Sequence, residues 1–265
     1  AKNEFNDLSS ALDSFSNANI ASLSIPGQFV KEIAVELIKK QLHLFVFSDH
    51  VPLEDEIYLK NLALENNVLF MGPEAGTTIL NGTVFGFGNR IRKGSVGIIG
   101  ASGTGIQEAS TMIDLFGEGI SHAIGVGGRD LRNDIGGMMT MKAMEIFEND
   151  PNTEAVLLVS KPVDDEVRNK IINKINNFSK KNYVLCLVGD NENREDTDKI
   201  KFSKSIQISV LKILKSLNGD AYKKIKGVVR NQVSESIKLA ESLSSGLSNE
   251  QKFVRGFFAG GTLCY

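Results

Sequence analysis

The stretch Val96–Ser110, VGIIGASGTGIQEAS, decides how this chain is read. An apolar run stops at four small residues, Ser102-Gly103-Thr104-Gly105, and a helical pattern begins at once. The apolar residues before the break are nearly consecutive, as in a strand covered on both faces. After it, Ile106, Ala109, Met112, Ile113 and Phe116 recur at helical spacing. A strand that runs into a helix through a Gly-rich turn is half of a βαβ unit, so the stretch predicts a parallel sheet. In such sheets ligands bind at the carboxyl ends of the strands, where this turn sits.

The same alternation extends in both directions. Upstream, residues 19–25, 42–48 and 67–72 read as strands. Between them lie a helix with Val30, Ile33, Ala34, Leu37 and Ile38 on one face and a helix over 53–66. Residues 73–94 hold Gly76, Gly82, Gly86, Gly88 and Gly94 and read as a loop-rich connection. Downstream, strands are expected at 95–100, 121–127, 154–160 and 183–189, with helices at 104–117, 134–148 and 164–178. The Lys-, Asn- and Ser-rich stretch 190–250 predicts helices near 205–217 and 233–243 among loops. The expected fold class is therefore α/β, with tandem doubly wound parallel sheets. Residues 1–94 form the first unit, 95–218 the second, and 219–265 a linker with the start of a further α/β unit. Ala1 in the first place and a final FVRGFFAGGTLCY, reading as strand, Gly turn and helix start, predict a chain cut at both ends.

The chain has 265 residues, 42% of them hydrophobic, which is enough for substantial cores. A formal net charge of -2 argues against a general nucleic-acid surface. No apolar run reaches the ~20 residues of a bilayer span, and no signal peptide opens the chain. The two cysteines, Cys186 and Cys264, have no metal-type spacing, and Cys186 in YVLCLV reads as a buried thiol. The expectation is a cytoplasmic protein without a metal, a nucleic-acid partner or a membrane partner.

The first-turn N–H groups of a helix lack intrahelical acceptors, and its dipole favours negative charge. Gly103 and Gly105 allow close backbone approach, and Ser102 and Thr104 add hydroxyls. The turn thus reads as a phosphate seat, or as a tight strand–helix turn capped by Ser or Thr. It is no Walker A loop, because no Lys follows Gly105 at the required place. Two more strand ends carry cations. Arg129 follows Gly127 and Gly128, and either grips phosphate or carboxylate or pairs with Asp130 or Asp134. Lys161, before Pro162, either projects into the same crevice or is a solvated loop charge. Convergence of the three ends predicts one cationic pocket rich in N–H groups. His43 could face either side of its strand, and His122 reads as structural. His50 shares a strand-end loop with Ser48 and Asp49.

With these loops placed, MGPEAGTTILNGT, GSVGIIGASGTGIQEAS, GEGISHAIGVGGRDL, MEIFENDPNTEAVLLVSKP and FSDHVPLEDE together resemble the FdrA family. That family is similar in turn to the α subunit of succinyl-CoA synthetase. The likeness runs from about residue 19 to 189 and, in FdrA alone, continues to FFAGGTL. It implies a CoA-binding-type Rossmann domain followed by a flavodoxin-like ligase domain, with the phosphate of a phosphohistidine received at Ser102–Gly105. Gly127 and Gly128 join that phosphate site. Ser48, Asp49, His50, Gly72, Pro73, Glu74, Gly76, Thr77 and Ser160 line the expected substrate or cofactor crevice. The synthetase carries its phosphoryl group in a Gly-His-Ala-Gly loop. Here the matching stretch reads DNENREDTDKIKFS, without histidine, and Ser160 and Lys161 replace the supporting carboxylate. The Gly-rich first loop that would hold CoA phosphates also has no counterpart.

The resemblance therefore implies first a transferase component, of the oxamate carbamoyltransferase type in purine and allantoin breakdown. Carbamoyl phosphate would rest on Ser102–Gly105, and Lys161 or Arg129 would be the catalytic cations. The alternatives are an NDP-forming acyl-CoA synthetase with CoA as ligand, and a non-catalytic subunit that binds a phosphate metabolite. Other protein subunits, or further copies of the chain, are expected partners.

Overall fold

The computed structural model describes residues 4–178, 180–190, 192–217, 219–248, 250–253, 255–257 and 262. A short helix, α1 (Leu8–Ser14), leads to β1 (Ile20–Leu23), α2 (Val30–Lys39), β2 (His43–Val46), α3 (Leu53–Glu65) and β3 (Phe70–Met71). These strands form a parallel sheet in the order β1-β2-β3. Helix α2 packs on it through Val30, Ala34, Leu37 and Ile38, the stripe read from the sequence.

The chain continues through β4 (Thr77–Leu80), β5 (Thr83–Gly86), β6 (Lys93–Gly100), α4 (Gly103–Leu115), β7 (Ile120–Gly125), α5 (Met138–Asn149), β8 (Ala155–Ser160) and α6 (Asp165–Asn177). It then forms β9 (Asn182–Leu187), β10 (Ile200–Ser203), α7 (Ile206–Ser216) and α8 (Asp220–Ser244). The second sheet has seven strands in the order β10-β9-β8-β6-β7-β4-β5. Its centre, β6 and β8, is buried from Val96 to Gly100 and from Ala155 to Ser160. That explains their continuous apolar runs. The α/β class with parallel sheets stands as expected.

Three expectations need correction. Residues 73–94 are not simply a loop. They hold the hairpin β4–β5, which joins the second sheet antiparallel to β7. The glycines made this stretch look structureless, yet Asn81 and Gly82 form the hairpin turn at φ 49° and 83°. Helix α5 starts at Met138, because Gly136 and Gly137 take positive φ (71° and 76°) just before it. The helix expected near 233–243 is one 25-residue helix, α8, whose first turns dock Ala221 and Ile225. The FFAGGTLCY reading lies outside the described residues except at Phe257 and Thr262.

Two apolar clusters flank the second sheet. One lies under α4, α7 and the start of α8. The other joins α5 and α6 to the whole first unit, from Leu23 to Met71, in a continuous core. Phe70 N–H points at Met139 Sδ, 3.4 Å away, inside that core. Cys186 is fully buried, and burial pushes its thiol up to about 11. Among the described residues no helix is long and apolar enough to cross a membrane.

Candidate functional site

Two clefts open at the carboxyl ends of the two sheets. The first, about 880 Å³, lies over β1 and β2 and is bounded by Ile25, Pro26, Phe47, Ser48, His50 and Phe87, among others. Its floor is set by close backbone packing. A Cβ on Gly27 would stand 2.3 Å from Asp49 O and 2.5 Å from His50 O, so the β1 and β2 loops touch only because Gly27 has no side chain. Ser48, 4% exposed, accepts a hydrogen bond from Ile25 N at 2.9 Å and ties the same loops together. Asp49 and His50 are exposed, with His50 Nδ1 3.2 Å from Asp49 Oδ2.

The second cleft, about 500 Å³, lies at the ends of β7 and β8. Arg129, Arg132 and Lys161 bring three cations to it beside Ser160, and Glu74, Asp134 and Asp164 face them. Asp164 braces the wall by accepting from Asn133 N at 2.7 Å. Ser160, 1% exposed, turns its hydroxyl onto the Lys161 carbonyl. Glu74 lines both clefts, so they meet at this residue. It follows the cis Gly72–Pro73 bond with φ 57°, and its N–H donates to Ser48 O at 3.1 Å.

The structure thus brings Ser48, Asp49, His50, Glu74 and Gly76 to the first cleft, and Glu74, Gly128, Arg129, Ser160 and Lys161 to the second. Gly72, Pro73, Gly127 and Thr77 lie beneath them. A Cβ on Gly127 would come within 2.7 Å of the Gly72 and Pro73 carbonyls, and its φ is 90°. Thr77 is fully buried, donating to Phe87 O and accepting from Gln107 Nε2 at 2.9 Å.

The Ser102 turn is a capped strand–helix turn, one of the two readings the sequence left open. Ser102 is the N-cap of α4, its Oγ accepting Gly105 N at 3.1 Å. Gly103 packs against the Gly76 backbone. Gly103 and Thr104 occupy the first helical turn, whose N–H groups find no acceptor within the helix. Ala101, just before the turn, lines the second cleft, whereas Ser102–Gly105 line neither cleft. The cap also meets Thr262, whose Oγ1 is 2.5 Å from Ser102 Oγ and which is 3% exposed. The three strand ends therefore form two neighbouring features rather than a single pocket.

The sequence did not reveal what holds Arg129. Its partners are neither Asp130 nor Asp134. Arg129 Nε is 2.8 Å from Glu56 Oε2, and its Nη2 donates to Val51 O at 2.7 Å. Glu56, Lys60 and Asp130 are fully buried. Lys60 Nζ lies 2.9 Å from Glu56 Oε1 and donates to Asp130 Oδ1 at 2.8 Å and Val126 O at 3.1 Å. Asp130 also accepts from Met139 N, Thr140 N and Thr140 Oγ1. The only signal in the sequence is an i,i+4 Glu–Lys pair, which ordinarily marks an exposed helix face.

His43 and His122 are structural. Each accepts a backbone N–H at Nδ1, from Leu69 and Asn81 respectively, at 2.9 Å. Burial holds both below the ordinary histidine value.

The comparison with family models falls on the second unit, not on the first, where the CoA-binding-type domain was expected. Residues 91–179 match the family model described as a CoA binding domain. The chain is similar to succinate–CoA ligase α subunits. The ADP-forming enzyme's α subunit from Aquifex aeolicus is 29% identical over 154 residues, covering 54% of this chain and 47% of the relative. The uncharacterized protein YahF of Escherichia coli (strain K12) is 38% identical over 257 residues, covering 97% of this chain and 48% of its own. This chain spans about half the length of the curated relatives it matches. Among solved structures, the ATP citrate lyase of Methanothrix soehngenii in complex with citrate and coenzyme A superimposes with TM-score 0.59 at 14% identity, over 95% of this chain and 47% of that one. The dinucleotide-forming acetyl-coenzyme A synthetase 1 of Ca. Korarchaeum cryptofilum gives 0.55 at 17% identity, over 73% and 47%. At such identities these structures speak to the fold alone.

Proposed function

We propose that this chain is the α-subunit-like part of an acyl-CoA ligase of the NDP-forming type, binding CoA in the first cleft and an oxyanion beside it. The observation that carries the reading is the meeting of the two clefts at Glu74. One has apolar walls and the other carries cations. The first has the size of a cofactor site. Its Ile25, Pro26, Phe47 and Phe87 surfaces suit an alkyl-amide arm, and Ser24 is a hydroxyl partner for the amides. A reacting carbonyl at the Glu74 junction would lie beside Arg129, Arg132 and Lys161, which would stabilise developing negative charge there. The N–H groups of Gly103 and Thr104, left without an acceptor in the helix, would take phosphate.

Relatives that include subunits of succinate–CoA, sulfoacetate–CoA and malate–CoA ligases support ligase chemistry. The ligase reading therefore replaces the transferase as the first choice. Calorimetric titration with CoA, orthophosphate and carbamoyl phosphate tests it. CoA is expected to bind, and Phe47→Ala is expected to weaken it. CoA-independent binding of carbamoyl phosphate, lost in Lys161→Ala, would return the chain to the transferase reading. Cytoplasmic location and association with further subunits belong to the same proposal, as they suit an enzyme of soluble metabolites.

A further inference from the structure

We propose that Arg129 is a fixed oxyanion-binding residue of the second cleft, and that the buried Glu56 of α3 is its positioning residue. This rests on the ligase-type reading only in taking the occupant of the cleft to be a phosphate or a carboxylate.

A guanidinium has five N–H donors in a rigid fork. Arg129 Nε stands in an ion pair 2.8 Å from Glu56 Oε2, and Nη2 donates to Val51 O at 2.7 Å. Among the described residues the N–H groups on its other edge have no acceptor, and Arg129 lines the cleft at 31% side-chain exposure. Two anchors on one edge hold the fork still and leave its remaining donors for a ligand. Such a fork matches the planar or tetrahedral face of an oxyanion. Both anchors come from the first unit, while Arg129 follows β7 of the second.

Glu56 is itself held. Lys60 engages its other oxygen and is fixed by Asp130 and Val126 O. Asp130 is pinned by three donors at the start of α5. Two buried acids and two bases balance, so the network adds no net charge and leaves Arg129 as its only partly exposed member. An ordinary surface Arg would draw its counter-charge from its own loop, where Asp130 and Asp134 stand ready. Here the neighbouring Asp130 serves Lys60 instead.

The test measures binding of orthophosphate and of succinate, separately, by calorimetry. The double variant Glu56→Leu/Lys60→Met removes one acid and one base, so the net charge is unchanged while the anchor is lost. It is expected to bind the oxyanion at least about tenfold more weakly. Arg129→Lys keeps the charge but not the fork, and is expected to lose a similar factor. Glu56→Gln gives a test of sign. A mere counter-ion, once removed, would leave the cleft more positive and tighten binding, whereas a positioning residue gives weaker binding. Glu56→Asp, which retains the carboxylate, is expected to recover part of the loss.

Tightening in Glu56→Gln, or unchanged affinity in the double variant, would overturn the proposal. Should the double variant not fold, Arg129→Lys decides, since it leaves the buried residues intact, and undiminished affinity there overturns it. Absence of any oxyanion binding by the unaltered protein overturns it too. A failure of CoA to bind would instead count against the ligase reading and leave this result standing.

Discussion

Gly27 has no side chain because there is no room for one. A methyl group there would meet the Asp49 and His50 backbone well inside contact distance, and backbone cannot rotate away. Gly27→Ala is expected to cost about 1–3 kcal/mol and to spread the floor of the first cleft. Urea unfolding measures the first effect and CoA titration the second, and unchanged values for both would show that the loops give way freely. Cys186 makes the opposite case, a reactive group silenced by its surroundings. With its thiol raised to about 11 and no exposure, it is expected to resist alkylation at about pH 8 until the protein unfolds. Mass spectrometry in a Cys264→Ser background reads this directly. Both residues mark the limit of legibility in the sequence. Cys186 sits in an apolar run whose period is local, so its burial was readable. Gly27 answers to a loop more than twenty residues away, and nothing near it in the chain announces that contact.

The same division holds for whole elements. Strand β6 and helix α4 were visible because the change from consecutive apolar residues to helical spacing occurs within a few positions. The cap was visible for the same reason. Ser102→Ala is expected to cost about 1 kcal/mol, the usual value of an N-cap, read from the shift in denaturant midpoint. A loss clearly beyond that would assign extra weight to the Thr262 contact. The hairpin β4–β5 was hidden by its glycines, which suggested a loop-rich connection. It is held instead by tertiary pairing, with Leu80 beside His122 and His122 Nδ1 accepting from Asn81 N. Helix α3 was placed correctly, but the sequence reading made no mention of its charged pair. Burial of Glu56 and Lys60 depends on α3 meeting the β7 loop, and helical periodicity carries no such information.

At the scale of the molecule, pH links these elements. Burial lowers the pKa of His43 and of His122 from the ordinary 6.5. The unfolded chain therefore binds more protons than the folded one just below that value, and stability rises with pH there. The contribution is complete above about 6.5 and is lost as pH falls through the folded values. The melting temperature is expected to drop between about pH 7 and about pH 5. The double variant His43→Asn/His122→Asn, in which Oδ1 replaces the Nδ1 acceptor, is expected to flatten that slope. A slope equal to that of the unaltered protein would assign the acid sensitivity to carboxylates.

The continuous core under α5 and α6 also restricts motion. Enzymes that assemble a site by domain closure need a hinge, with a few residues joining bodies that share little apolar surface. Here the first unit shares its interior with the second, from Leu23 through Phe70 to Met139 and Phe147. Swinging one past the other would expose that interior to water. The distance between the two clefts is thus set when the chain folds, and any gating of the Glu74 junction falls to the surface loops around it.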